Sequence, residues 1–309
     1  MARSGRIWLA LGTVYVVWGS TYFGIKLGVE TLPPFLMMSA RFAVAGAVLY
    51  AWAIRRGDRS DRVTVRHWRS ATVIGGLLLV AGNGSLAWAE QRVDTGQAAL
   101  IVACVPIWFA VLEWISSGRR LAAPGLIGLA VGLAGVGFLV GPSGAVDVAG
   151  GSVIVVGTVG WAIGSLYAQR AELPSRPLVA AAMQMLAAAA LNGVVGVATG
   201  ELDDLRAPSL ASIGGVVYLI VVGSIVGFTA YSWLLGHAPT ALVSTYAYVN
   251  PVVAVALGVL FLGEALTWQM LVAGGAILAA VVLIVQSKTT AARPQRLGPR
   301  PEPALENAA

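Results

Sequence analysis

Between Ala238 and Leu262 an apolar run is interrupted by Ser244, Thr245, Tyr246, Tyr248 and Asn250, and Pro251 follows at once. Pro251 has no N–H, so the helical carbonyl one turn back loses its partner. In hydrocarbon that carbonyl must be satisfied by protein or by a water-filled cavity, and the Asn250 amide also needs several partners. These groups suit the holding of a solute by hydrogen bonds. Arg41 offers a different chemistry. It stands about eight residues into the second apolar run, about 12 Å deep at 1.5 Å per residue. A guanidinium at that depth either anchors a carboxylate, from a solute or an acidic gate, or snorkels to the interface. Trp18, Tyr22, Trp88, Trp161, Tyr231, Tyr246 and Tyr248 are deep or lie on repeated motifs. Their faces and O–H or N–H groups suit a cavity for flat or amphipathic solutes, with packing between helices as the competing role. Asn83 and Asn250 add amides, and Pro106 and Pro251 are expected helix kinks. Glu90 and Glu113 read as interfacial, and Lys26 with Glu30, one turn apart, as a solvated pair.

Other chemistries find no support. No nucleophile–base pair stands out, so the chain does not read as an enzyme. No phosphate-binding GxxxxGK[ST] loop occurs, and no His–carboxylate spacing suits a metal, so no metal or cofactor is expected. Cys104, the one cysteine, excludes an intrachain disulfide and reads as a small buried hydrophobe. The net charge of +6 does not point to nucleic acid, because the basic residues flank apolar segments.

The elements that position these residues are membrane helices. Hydrophobic residues make up 58% of the 309 and charged residues 11%, against about a quarter charged in an ordinary soluble domain. The fold class is therefore an all-α polytopic membrane protein. About 20 apolar residues cross a bilayer, and ten such runs are predicted: 7–28, 33–54, 70–90, 96–116, 121–140, 150–169, 177–198, 210–234, 239–261 and 267–286. With a cytoplasmic N-terminus, sixteen Lys and Arg residues fall inside and three outside, namely Lys26, Arg92 and Arg206. Both termini are then cytoplasmic. The chain also repeats: Trp18 and Trp161, Pro34 and Pro177, and Gly84 and Gly227 are each 143 residues apart. Each half holds five predicted helices, an odd number, so the second half enters from the opposite side. That is an inverted repeat, an arrangement used for alternating access. The expected units are a first repeat, 1–142, a second, 148–287, and a disordered cytoplasmic tail, 288–309.

Trp18-Gly19-Ser20-Thr21-Tyr22, Gly160-Trp161-Ala162-Ile163-Gly164-Ser165, Pro106, Tyr246 to Pro251 and Gly263-Glu264 together resemble the drug/metabolite transporter superfamily, in particular its EamA-type ten-helix exporters. The resemblance implies a basket of helices around a central cavity, with the fifth and tenth helices as a scaffold. It also implies export of amino acids or other metabolites, some members being similar to aromatic amino acid exporters. The expected partners are a small-molecule solute and the lipid bilayer of a bacterial inner membrane, with protons as a candidate coupling ion and the chain a monomer or homodimer. Two alternatives stay open: a sugar-phosphate or nucleotide-sugar exchanger, and a channel or non-transporting membrane scaffold.

Overall fold

The computed structural model describes residues 3–56, 63–117, 123–140, 146–238 and 246–291, and every regular element among them is helical. α1 (Arg3–Val29) and α2 (Pro34–Arg56) are unbroken. α3 (Val65–Gly75) passes through a π-helical stretch, Gly76–Gly82, into α4 (Asn83–Ala89). α5 (Thr95–Val102) and α6 (Val105–Ser117) are separated by a break at Ala103–Cys104, just ahead of Pro106. Pro106 falls in the first turn of α6, where its missing N–H costs little. α7 (Ala123–Val140), α8 (Val148–Ala168) and α9 (Pro177–Ala198) follow. α10 (Leu210–Tyr218) continues through a π-helical stretch, Leu219–Val226, into α11 (Gly227–His237). α12 (Tyr246–Leu257) carries Pro251 inside it, and α13 (Trp268–Ala291) is the last helix. Residues 292–309 of the expected tail, together with Ser244 and Thr245, lie outside the described residues.

Local chemistry sets the helix starts. The Asp147 carboxylate accepts from Gly150 N at 2.7 Å, and Ser209 Oγ accepts from Ser212 N at 3.0 Å. Pro177 opens α9 with its φ already helical. Among the described residues, seven helical stretches are long and apolar enough to cross a membrane. Two shorter apolar helices, Val249–Leu262 and Trp268–Leu283, and the 27-residue α1 occupy the other expected positions.

The halves pack as mirror tasks. α2 lies along α9, and α7 along α13. α1 packs on the α10–α11 run and on α12, while α8 packs on the α3–α4 run and on α5 and α6. Exchanging the halves turns each of these pairings into the other. The two π-helical stretches repeat as well, since Gly76 and Leu219 are 143 residues apart, the offset between Trp18 and Trp161. α1 ends and α8 begins at one end of the bundle, where Gly150 meets Val93, just beyond α4. That is the antiparallel relation an inverted repeat requires.

Two ends of the bundle differ in charge. Lys26, Glu90, Asp94, Glu201 and Glu264 sit at one, here the acidic end. Arg66, Arg176 and Glu172 mark the other, where Arg66 pairs with Glu172 at 3.8 Å and both are exposed.

Small residues let the helices close up. A Cβ on Gly164 would lie 2.8 Å from Leu77 Cβ, and one on Gly227 2.7 Å from Trp18 Nε1. A Cβ on Gly75 would meet the backbone carbonyl of Gln184 at 2.5 Å, which no rotamer change relieves. Gly75→Ala is therefore expected to destabilise the fold by about 1–3 kcal/mol, the usual cost of overpacking. Gly275→Ala, where nothing lies within 4 Å, should be neutral or stabilising by up to about 1 kcal/mol. Denaturant unfolding in detergent measures both, and equal effects would contradict this packing.

Candidate functional site

Arg41 is 3% exposed and does not snorkel. Its Nε donates to Ser224 Oγ at 3.1 Å, Nη1 faces Met38 Sδ at 3.6 Å, and Cζ lies 4.9 Å from the Phe42 ring centroid. Ser224 belongs to the π-helical stretch before α11, so the guanidinium spans from α2 to that element. Gly223 makes the room, because a Cβ there would stand 3.3 Å from Arg41 Nη2. Among the described residues no carboxylate forms an ion pair with Arg41. A buried cation without a counter-charge is costly unless something supplies one.

One helical turn further along, at Gly227, the Trp18 indole packs against the same helical run. Trp18 is the centre of an aromatic cluster. Its ring centroid lies 4.8 Å from Tyr231, 5.0 Å from Tyr246 and 5.9 Å from Phe228. Thr21, three residues along α1, faces Gly223 beside Arg41. The structure thus brings Trp18, Tyr231 and Tyr246 into one cluster and seats Arg41 one turn away against the same helical run. An apolar groove of about 760 Å³ opens toward the basic end between α1, α2 and α11, lined among others by Leu9, Thr13, Trp52, Thr229 and Trp233.

Other predicted residues stand apart. Tyr22 is buried in the main apolar core. Asn250 is 7% exposed and ties α12 to α1: its Nδ2 donates to the carbonyls of Tyr246 (3.1 Å) and Tyr15 (3.2 Å), with the amide turned to satisfy both. Asn83 and Trp161 belong to the α3–α4/α8 contact. Asn83 Nδ2 donates to Leu78 O at 3.4 Å, and a Cβ on Gly82 would lie 2.8 Å from Trp161. Trp88 carries the Arg92 guanidinium over its ring at 4.1 Å. Tyr248 belongs to α12, but its side chain is outside the described part, as is that of Glu113.

The acidic end is held together by two carboxylates, Glu264 and Glu201. Both Glu264 oxygens cap the start of α5, accepting from Thr95 N at 2.7 Å and Gly96 N at 3.0 Å. Both Glu201 oxygens cap α2, accepting from Phe35 N at 3.1 Å and Leu36 N at 2.8 Å. Each carboxylate comes from the second half and each capped helix from the first. Free N–H groups and the helix dipole make such N-termini anion sites. Gly263 positions Glu264: with φ +68° it ends the helix, and the next N–H bonds Gly258 O at 3.1 Å. Ser212 Oγ donates to Leu27 O at 2.7 Å, and Thr31 Oγ1 to Ser212 Oγ at 2.8 Å, closing the same end.

Lys26 is not a solvated partner of Glu30. Its Nζ donates to the carbonyls of Glu90 (2.7 Å) and Val93 (3.0 Å), since the last turn of α1 packs on that connection. Glu90, read as interfacial, is fully buried. Burial pushes its carboxyl well above the usual carboxylate range; Lys26 opposes this and Glu264 adds to it. Burial and then Glu264 also raise the half-buried Asp94, again against Lys26. The signal available for Glu201 and Glu264 was each acid's place just after a helix-ending glycine, Gly200 and Gly263.

A model of the EamA-like transporter family matches residues 4–141 and again 148–286. The chain is 41% identical over 291 residues to the protein named "Uncharacterized inner membrane transporter YedA" of Escherichia coli (strain K12), covering 90% of each. It is 24% identical over 299 residues to the "Probable terminal-alkyne amino-acid exporter" of Streptantibioticus cattleyicolor, covering 95% of this chain and 97% of that one. One solved crystal structure matches with a TM-score of 0.63 over 92% of this chain and 98% of the other at 21% identity, a likeness of fold.

Glu264→Ala frees two N–H groups at a buried helix start and is expected to destabilise by about 1–3 kcal/mol. Glu264→Gln keeps a neutral acceptor and should cost roughly half as much. Thermal unfolding of both variants measures the order, and an unchanged Glu264→Ala protein would contradict the capping role.

Proposed function

The chain belongs to the EamA-like transporter family, and we propose that it exports small organic metabolites bearing a carboxylate, amino acids or amphipathic drug-like solutes, by alternating access. It is a multi-pass inner-membrane protein. In this reading ten helices cross the bilayer, both termini are cytoplasmic, and the acidic end faces outward. The repeats, 1–142 and 148–287, rock against each other around a site near the midplane. No bond is made or broken, so the work comes from a gradient, with protons as the candidate coupling ion.

One observation carries the substrate class: the Arg41 guanidinium is buried with no acidic partner among the described residues, against a helical run that meets the Trp18 cluster one turn further along. A solute carboxylate supplies the missing charge, and its apolar part rests on the rings. The similar protein named an amino-acid exporter supports the same class. Arg41 is the one fully buried Lys or Arg among the described residues, which suits a single carboxylate better than the two charges of a sugar phosphate. The clasps of Glu264 and Glu201 fit a conformation closed at the outer face.

A metabolite-export screen in cells overexpressing the chain tests this reading. Arg41→Ala should lower export of a carboxylate solute by at least about thirtyfold, the equivalent of about 2 kcal/mol for a broken buried charge pair. Arg41→Lys should retain part of it. Undiminished export at normal protein level, or no flux across a broad panel, would overturn the assignment.

A further inference from the structure

Glu90 is a titratable group with no part in holding the solute. It lies just past α4 with none of its surface exposed. Neither carboxyl oxygen has a hydrogen-bond partner. The nearby cation does not serve it, because Lys26 Nζ is engaged by the backbone carbonyls of Glu90 and Val93. The groups that face this site pull both ways: Lys26 favours a charge on Glu90, and burial and the Glu264 carboxylate oppose it. On α1 they are Tyr22 and Lys26, the first buried and within electrostatic reach of Glu90. Ahead of α13 stands the Glu264 carboxylate, which raises Glu90 and Asp94 alike. On the same connection are Asp94 and Arg92, the latter held over Trp88. Asp147 lies at the start of α8, where Gly150 packs against Val93 and Ala89 O. An ionised carboxylate without a single donor is strongly disfavoured in such a place.

We propose that Glu90 is a proton-binding site coupled to closure of the acidic end: it takes up one proton from the water on that side as the end closes and returns it as the end opens. The proposal rests on the transporter reading and names the group that carries its coupling proton. In the closed form Glu90 bears the O–H, and Lys26 is free to hold the two carbonyls. When α1 parts from the 90–94 connection, water reaches the carboxyl, the O–H ionises, and Lys26 Nζ exchanges the carbonyls for the new carboxylate. The sign follows from the raised value in the closed form. Below the open-state value, about 4.3 for an ordinary Glu, both forms are protonated and closure is fully favoured. As pH rises from there to the closed-state value, closure loses up to about tenfold per pH unit, one proton being taken up on closing.

The test uses the full chain in lipid nanodiscs and needs no solute. Infrared spectra at neutral pH should contain the C=O stretch of a protonated carboxylic acid, lost in Glu90→Gln and kept in Glu90→Asp. A second measurement reads the opening. In a Cys104→Ala background, Thr95→Cys places a thiol where the buried hydroxyl has no partner. Its rate of reaction with a membrane-impermeant maleimide is taken relative to the same protein carrying Glu90→Gln, which removes the thiol's own ionisation. That ratio should rise with pH by up to about tenfold per unit. A wild type without the carboxylic-acid band, a band that survives Glu90→Gln, or a ratio flat in pH would overturn the proposal. A chain that exports nothing yet shows the band and the rising ratio would contradict the proposed function and leave the proton site standing.

Discussion

The structure depends on a single kind of contact at its acidic end: carboxylates of the second half seated on helix starts of the first. A helix presents up to four N–H groups with no internal partner at its beginning. Where such a start is part-buried, these need acceptors that water alone does not supply. Glu264 serves α5 and Glu201 serves α2, each with both oxygens. The contacts satisfy buried backbone, oppose the helix dipole with full negative charge, and join the halves. Because they are polar and few, they can be exchanged for water without tearing an apolar core. A clasp that is firm when dry and weak when wet is what the proposed alternating access would require.

The remainder of the bundle is closely packed. Glycines bring α8 against the α3–α4 run and α1 against the α10–α11 run. Both longer runs carry a π-helical stretch at the matching place. Such stretches often occur at functional sites, and here one of them supplies Ser224 to Arg41. The two halves have diverged around that plan. Position 41 is Arg in the first half, and its counterpart 143 residues on is Gln184. The aromatic cluster at Trp18 likewise draws on α1, α11 and α12, and so marks one side of the repeat.

Much of this was legible in the sequence. Apolar runs interrupted by Pro and polar turns placed the helices closely; the predicted run 177–198 coincides with α9. The 143-residue offset pointed to a duplication, and the family model matches twice, at 4–141 and 148–286. Arg41 stood out because a charge in an apolar run is rare. What was not legible was pairing across distance. Glu264 is 169 residues from Thr95, and its reach depends on the αL turn at Gly263, which a local reading gives only as a helix end. Lys26 and Glu30 had the spacing of a helical ion pair, yet a neighbouring connection offers Lys26 two carbonyls instead. Glu90 read as interfacial because its place at a helix end says nothing of what packs over it. Asn250 drew attention as a polar residue beside a proline, and its amide is taken by two backbone carbonyls that no local pattern announces.

The most direct measurement is the separation across the acidic end. Spin labels at Glu30 and Leu266, both exposed, would be placed in the Cys104→Ala protein and read by pulsed electron paramagnetic resonance. With the clasps intact, one short distance should dominate. In the protein carrying both Glu264→Ala and Glu201→Ala, a longer population should grow at its expense. An unchanged distance distribution in that folded variant would contradict the claim that these carboxylates hold the closure.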